Sequence, residues 1–128
     1  MDRPTVLVVD DEPDVRDNIA LVLEESGYQV ISAANGREAL RLLEGPGPLP
    51  SMILLDMIMP VMDGWHFRAK QLENSRIASI PIVIFTSWAV PRDTPASLKA
   101  AGFLPKPLRM DHLVKAVADV TGTAPTSR

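Results

Sequence analysis

The chain has no cysteine, which excludes disulfide frameworks and thiolate metal sites and fits a cytosolic protein. No apolar stretch approaches the roughly 18 residues that a membrane-spanning helix needs. The start carries charges and passes at once into an apolar strand, so no secretory signal pattern is expected there. There is no Lys/Arg run, and a formal net charge of −3 argues against a general nucleic-acid binder. The only two histidines, His66 and His112, are far apart and lack zinc-like spacing. These gaps together predict a cytoplasmic protein with neither a nucleic-acid nor a membrane partner. What remains is 128 residues, 46% hydrophobic and 23% charged, enough for one domain with a sizeable core.

The stretch "TVLVVDDEPD" poses the central question, because the apolar run Val6–Val9 stops against Asp10, Asp11 and Glu12. Packing alone gives no reason to crowd like charges at the mouth of a buried strand. Along the chain, short β-branched runs alternate with segments of helical period. Strands are expected at Thr5–Asp10, Tyr28–Ala33, Ser51–Asp56, Pro81–Thr86 and Phe103–Pro105. Helices are expected over Glu12–Ser26 (stopped by Gly27), from the N-cap Asn35 to Gly45, over Asp63–Asn74 with Trp65, Phe67 and Leu72, and over Arg109–Val120. The loop "GPGPLP" fits neither element. Residues 1–121 then form one domain, and 122–128 read as a frayed tail.

Such alternation predicts an α/β fold, an open five-stranded parallel sheet with helices on both faces. Functional crevices in these sheets lie outside the carboxyl ends of the strands. Strand one ends at Asp10-Asp11, strand three at Asp56, strand four at Thr86-Ser87, and strand five runs into Lys106. Three carboxylates, a hydroxyl and an ammonium from four strands thus converge on one rim. Oxygen-only donors favour a hard cation, and an exposed rim with room for water favours Mg²⁺ over Ca²⁺. Asp56, at the tip of a central strand, is the natural nucleophile for a phosphoryl group that would meet the cation, Thr86, Lys106 and loop N–H groups.

The segments "VLVVDDE", "ILLDMIMPVMDG", "IPIVIFTS" and "FLPKP", in that order, resemble the receiver domains of two-component response regulators, over residues 5 to about 121. The resemblance implies a flavodoxin-like (βα)5 fold with strand order 2-1-3-4-5. It also implies that Asp56 is the phosphoacceptor, that Asp10 and Asp11 bind Mg²⁺ with Asp56 and the Ile58 carbonyl, and that Asp11 is the more direct ligand of the pair. Thr86 and Lys106 would contact the phosphoryl oxygens, with a cis bond between Lys106 and Pro107. Thr86 and the aromatic Phe103 would form the switch. The implied partners are a sensor histidine kinase or histidine phosphotransfer protein and a downstream protein, and the chain would catalyse only its own phosphorylation and dephosphorylation.

Two departures from the family pattern stand out. Pro91 and Pro95 predict a shortened or displaced fourth helix, and Gly102, read as the helix-ending glycine, is followed directly by Phe103. Ile58 and Trp88 occupy positions two after Asp56 and two after Thr86, where polar side chains often assist water, so slow self-dephosphorylation is expected. Blander readings compete at each position. Asp11 or Glu12 could merely cap the next helix, Asp56 could be a strand-end acid on solvent, and Lys106 a solvated lysine. Met52, Met57, Met59 and Met62 are expected in the core, His66 and His112 on the surface, Trp65 against a helix, and Trp88 facing a partner. Competing functions are an unphosphorylated adaptor and a receiver fragment of a larger regulator. A haloacid-dehalogenase-type phosphatase would need a second Asp where Ile58 stands, and a nucleotide or flavin carrier would need a phosphate loop in place of Asp10-Asp11-Glu12.

Overall fold

The apolar runs become five parallel strands, β1 (Thr5–Val9), β2 (Gln29–Ala33), β3 (Met52–Leu55), β4 (Ile82–Thr86) and β5 (Gly102–Pro105), in the order β2-β1-β3-β4-β5. The computed structural model describes residues 3–86 and 90–123. The helices are α1 (Pro13–Glu25), α2 (Gly36–Glu44), α3 (Gly64–Leu72), α4 (Thr94–Ser97) and α5 (Met110–Thr121). β3 and β4 are buried at every position, as strands covered on both faces must be, whereas edge strand β2 is largely exposed. Among the described residues no helix is long and apolar enough to cross a membrane.

Side-chain alternation along the strands splits the core into two layers. Leu7, Val9, Ile53, Leu55 and Ile84 pack on Ala39, Leu43 and Phe67 of α2 and α3. Val6, Val8, Leu54, Val83 and Phe85 pack on Ile19 and Leu23 of α1 and on Leu113 and Val117 of α5. Met52, Met57 and Met59 are buried, Met62 and Trp65 pack against the α2/α3 layer, and both histidines are exposed.

Local chemistry sets the helix ends. Asn35 accepts the Glu38 N–H (2.9 Å), and the Glu38 carboxylate accepts the Ala34 N–H (2.9 Å). Asp63 caps α3 through the His66 N–H (2.9 Å). Gly27, at φ +97°, follows α1 in the left-handed region that glycine enters freely. At the other terminus Gly122 ends α5 in the same region, and Thr123 hydrogen-bonds the Tyr28 hydroxyl (2.9 Å). Of the expected tail, 122–123 are described with these contacts, and 124–128 lie outside the described residues.

The α3–α4 region departs most from expectation. Leu72, placed among the apolar residues of its helix, is 49% exposed, while neighbouring Gln71 is fully buried. The Gln71 amide donates to the Ile77 and Ile80 carbonyls (3.0 Å each) and accepts from Arg68 (2.8 Å), so this polar pair replaces an apolar seam. Arg68 also donates to the Leu98 carbonyl (3.1 Å), which pins the end of α4 to α3. α4 itself is only four residues, with Pro95 in its first turn, as the two prolines foretold. Gly102 does not end it. Lys99 does, at φ +55°, with its N–H on Ala96 (3.1 Å) and the Ala100 N–H on Pro95 (2.9 Å), a Schellman motif built without glycine. Gly102 opens β5 opposite Val83.

Candidate functional site

The ends of β1, β3, β4 and β5 lie side by side, and parallel register fixes their tips at one edge of the sheet. Asp10 and Asp56 are the residues that leave β1 and β3, and the Asp56 N–H donates to the Val9 carbonyl (3.0 Å), tying the two tips together. Both acids are buried, at 0% and 3% exposure, while Asp11 is exposed at the rim. One carboxylate oxygen from each of Asp10, Asp11 and Asp56 falls within 4.8 Å of the others.

Lys106 closes the cluster. Its ammonium donates to Asp10 Oδ2 (2.9 Å) and Asp56 Oδ2 (3.2 Å), and its backbone N–H is held by the Thr86 carbonyl (3.0 Å). The Lys106–Pro107 bond is cis, as expected. The other oxygens of the two buried acids accept backbone N–H groups. Asp10 Oδ1 takes Glu12 (2.8 Å) and Asp56 Oδ1 takes Ile58 (3.3 Å). Capping does not explain the acids, because Glu12 holds the N-cap position of α1 without a side-chain cap bond, and the Asp10 side chain is turned into the cluster.

Electrostatics follow from this burial. Desolvation pushes the Asp56 carboxyl above its ordinary range, Lys106 pulls it back, and the Asp10 charge pushes it up again. Burial alone would lower the Lys106 ammonium, but the hydrogen bond to Asp10 and the charges of Asp56 and Asp10 outweigh it, so its pKa rises. Three carboxyl groups face one bridging ammonium, an excess of acid over base in the cluster. An all-oxygen donor set with that excess fits a hard divalent cation. Such an ion would offset the burial penalty and the Asp10 repulsion that together raise Asp56.

Thr86 sits at the tip of β4, 1% exposed, and among the described residues no hydrogen bond joins its hydroxyl to Asp56 or Lys106. By strand alternation it shares a sheet face with Ile84, whose β5 partner is Phe103. Phe103 is half-buried, packed against the α2/α3 layer and lining a cavity with Val90, Pro91, Arg92 and Pro95. The Ile58 side chain is 53% exposed at the rim. Ser87 and Trp88 lie outside the described residues.

The arrangement matches a known family over most of its length: residues 6–118 fit the model of the response regulator receiver domain. The chain belongs to that family. It is 41% identical over 108 residues to the two-component response regulator ORR11 of Oryza sativa subsp. indica, covering 83% of this chain and 73% of that one. It is 37% identical over 112 residues to the response regulator Rre1 of Synechocystis, covering 85% of this chain but only 48% of the relative. The chemotaxis response regulator CheY4 of Vibrio cholerae superposes with a TM-score of 0.83 at 31% identity, covering 93% of this receiver and 99% of that chain. The fold is accordingly flavodoxin-like.

Two site residues escape a reading of the receiver's sequence. Arg16 donates to the Asp10 carbonyl (2.7 Å) and steadies the β1–α1 loop. Gly64 abuts the acceptor loop, since a Cβ there would lie 2.8 Å from Met57 Cα and 2.9 Å from the Asp56 carbonyl oxygen. The Asp63-Gly64 pair at a helix start was the available signal for the second. Nothing local marks the first.

Proposed function

We propose that this receiver takes a phosphoryl group onto Asp56 from the phosphohistidine of a sensor histidine kinase or histidine phosphotransfer protein. The observation that carries the reading is the Lys106 ammonium bridging Asp10 and Asp56 at the tips of adjacent strands. In the transfer, an Asp56 carboxylate oxygen forms the new O–P bond as the donor's N–P bond breaks. The released electron pair returns to the imidazole, which takes a proton from solvent. Asp56 is held for attack by the strand behind it and by the Ile58 N–H. Lys106 pairs with the phosphoryl oxygens, and the Thr86 hydroxyl donates to them from the next strand tip.

Asp10, Asp11, Asp56 and the Ile58 backbone carbonyl would hold Mg²⁺, with Asp11, the exposed member, best placed to complete its coordination. When bound, that ion supplies charge neutralisation for the phosphoryl oxygens. The chain acts on itself only and is not a turnover enzyme. Thr86 and Phe103, on one sheet face, form the switch that alters contacts with a downstream protein. The shortened α4 and the cavity beside Phe103 change the surface on which that output would form. No nucleic-acid or membrane contact is part of this reading, and the location is the cytoplasm.

The test is intact-mass measurement after incubation with acetyl phosphate. One phosphoryl adduct is expected with Mg²⁺ and none with excess chelator. An adduct of equal yield under both conditions would remove Mg²⁺ from the account.

A further inference from the structure

Beside the two carboxylates, the Lys106 ammonium has a third neighbour that the transfer reaction does not require. It lies over the ring of Phe85, 5.0 Å from the centroid. We propose that Phe85 is a positioning residue, whose aromatic face holds the Lys106 ammonium where it can pair with a phosphoryl group. The proposal rests on the reading that Asp56 accepts that group.

Strand geometry makes the placement systematic. Phe85 is fully buried on the α1/α5 side of the sheet, opposite Leu104. Lys106 follows Leu104 by two residues and so leaves the sheet on the same side. Its backbone is fixed to β4 by the bond to the Thr86 carbonyl, one residue beyond Phe85 (3.0 Å). The side chain, however, is not walled in by packing. A cavity of about 240 Å³ opens beside it, lined by Val15, Ile19, Phe85, Leu108 and Met110. Lys106 and the ring both line that cavity, and the ring, 5.0 Å from the ammonium, limits where a flexible four-carbon stem can carry its charge.

A simpler reading makes Phe85 one more core residue. An aliphatic side chain would serve among Val83, Leu104, Leu113 and Val117 just as well. Only an aromatic face offers a cation the negative side of a quadrupole, which gains strength away from water. The three neighbours of the ammonium also differ in kind. Asp56 is the group to be modified and Asp10 is a donor for a cation, so both have competing partners. The ring has none. It can therefore keep the ammonium at the rim while the carboxylates change partners.

The experiment replaces Phe85 in the full chain by mono-, di- and trifluorophenylalanine, which keep the shape of the ring and weaken its quadrupole. The initial rate of phosphorylation by acetyl phosphate with Mg²⁺ is measured for each, alongside Phe85→Leu. Rates are expected to fall stepwise along the series, reaching on the order of three- to tenfold below wild type. In the metal-free protein, the Lys106 ε-CH₂ resonances are expected upfield from the ring current, and to lose that shift in Phe85→Leu. Flat rates across the fluorinated series, or Lys106 resonances unchanged by Phe85→Leu, would overturn the proposal. If Phe85→Leu does not fold, the fluorinated series with the wild-type ε-CH₂ position decides. A wild type that takes no phosphoryl group refutes the acceptor reading instead. A wild type that accepts it at a rate blind to fluorination refutes the role of Phe85 alone.

Discussion

Asp56 is held against its own charge. Burial and the nearby Asp10 disfavour its ionised form, and Lys106 compensates only in part. An acid whose folded pKa is raised destabilises the fold when ionised, and this cost grows as pH rises from its ordinary value of 3.8 through the raised one. Asp56→Asn should therefore raise the melting temperature of the metal-free protein at pH 7, by an amount that shrinks toward pH 3.5; thermal melts at both values check this. Lys106 carries the opposite sign. Its stabilising contribution should be complete below about pH 10.5, its unfolded value, and lost as pH rises through the higher folded one. Lys106→Met leaves two buried carboxylates without a counter-charge and should cost about 3 kcal/mol in metal-free denaturant titrations. The carboxylates and Lys106 were legible in the sequence because strand-end position alone places them. Arg16 and Phe85 were not, because each acts through a contact that exists only after the helix or strand has packed.

At the scale of elements, legibility followed burial. β1, β3 and β4 are short apolar runs buried at nearly every position, so their sequences mark them plainly. The loop after α3 and the end of α4 are held differently, by the polar ties of Gln71 to the Ile77 and Ile80 carbonyls and of Arg68 to the Leu98 carbonyl, and polar ties leave no periodic signature. The glycine at 102 misled because glycine usually marks a helix end, yet here Lys99 takes the left-handed position. Lys99 adopts that conformation at a cost of about 1 kcal/mol, so Lys99→Gly should raise unfolding free energy by about that much. A variant no more stable than wild type would mean that the helix ends elsewhere in solution. Gly64 has the opposite requirement, since two of the three atoms a Cβ would meet there, Met57 Cα and the Asp56 carbonyl oxygen, are backbone atoms that cannot give way. Gly64→Ala should cost about 2 kcal/mol and slow phosphorylation by shifting the loop that carries Asp56 and Ile58.

For the whole molecule, the parallel sheet is a device for delivering side chains from four strands to one edge, with helices supplying rigidity behind them. Few of the site's groups are near one another in sequence, which is why no local charge pattern could have brought them together. The lifetime of the signal belongs to this scale too, because it depends on what the assembled rim offers to water. The side chain of the half-exposed Ile58 presents no hydrogen-bonding group there. Loss of the phosphoryl group should be slow, and Ile58→Asn should speed it several-fold without changing acceptance; the decay of the phosphorylated mass with time reads both. Beneath all of this stands the claim that Asp56 is the acceptor. The most direct measurement is intact mass after incubation with acetyl phosphate and Mg²⁺, wild type beside Asp56→Asn. A single phosphoryl adduct on the wild type and none on Asp56→Asn is the predicted result, whereas no adduct on the wild type even with a cognate histidine kinase, or an undiminished one on Asp56→Asn, would contradict it.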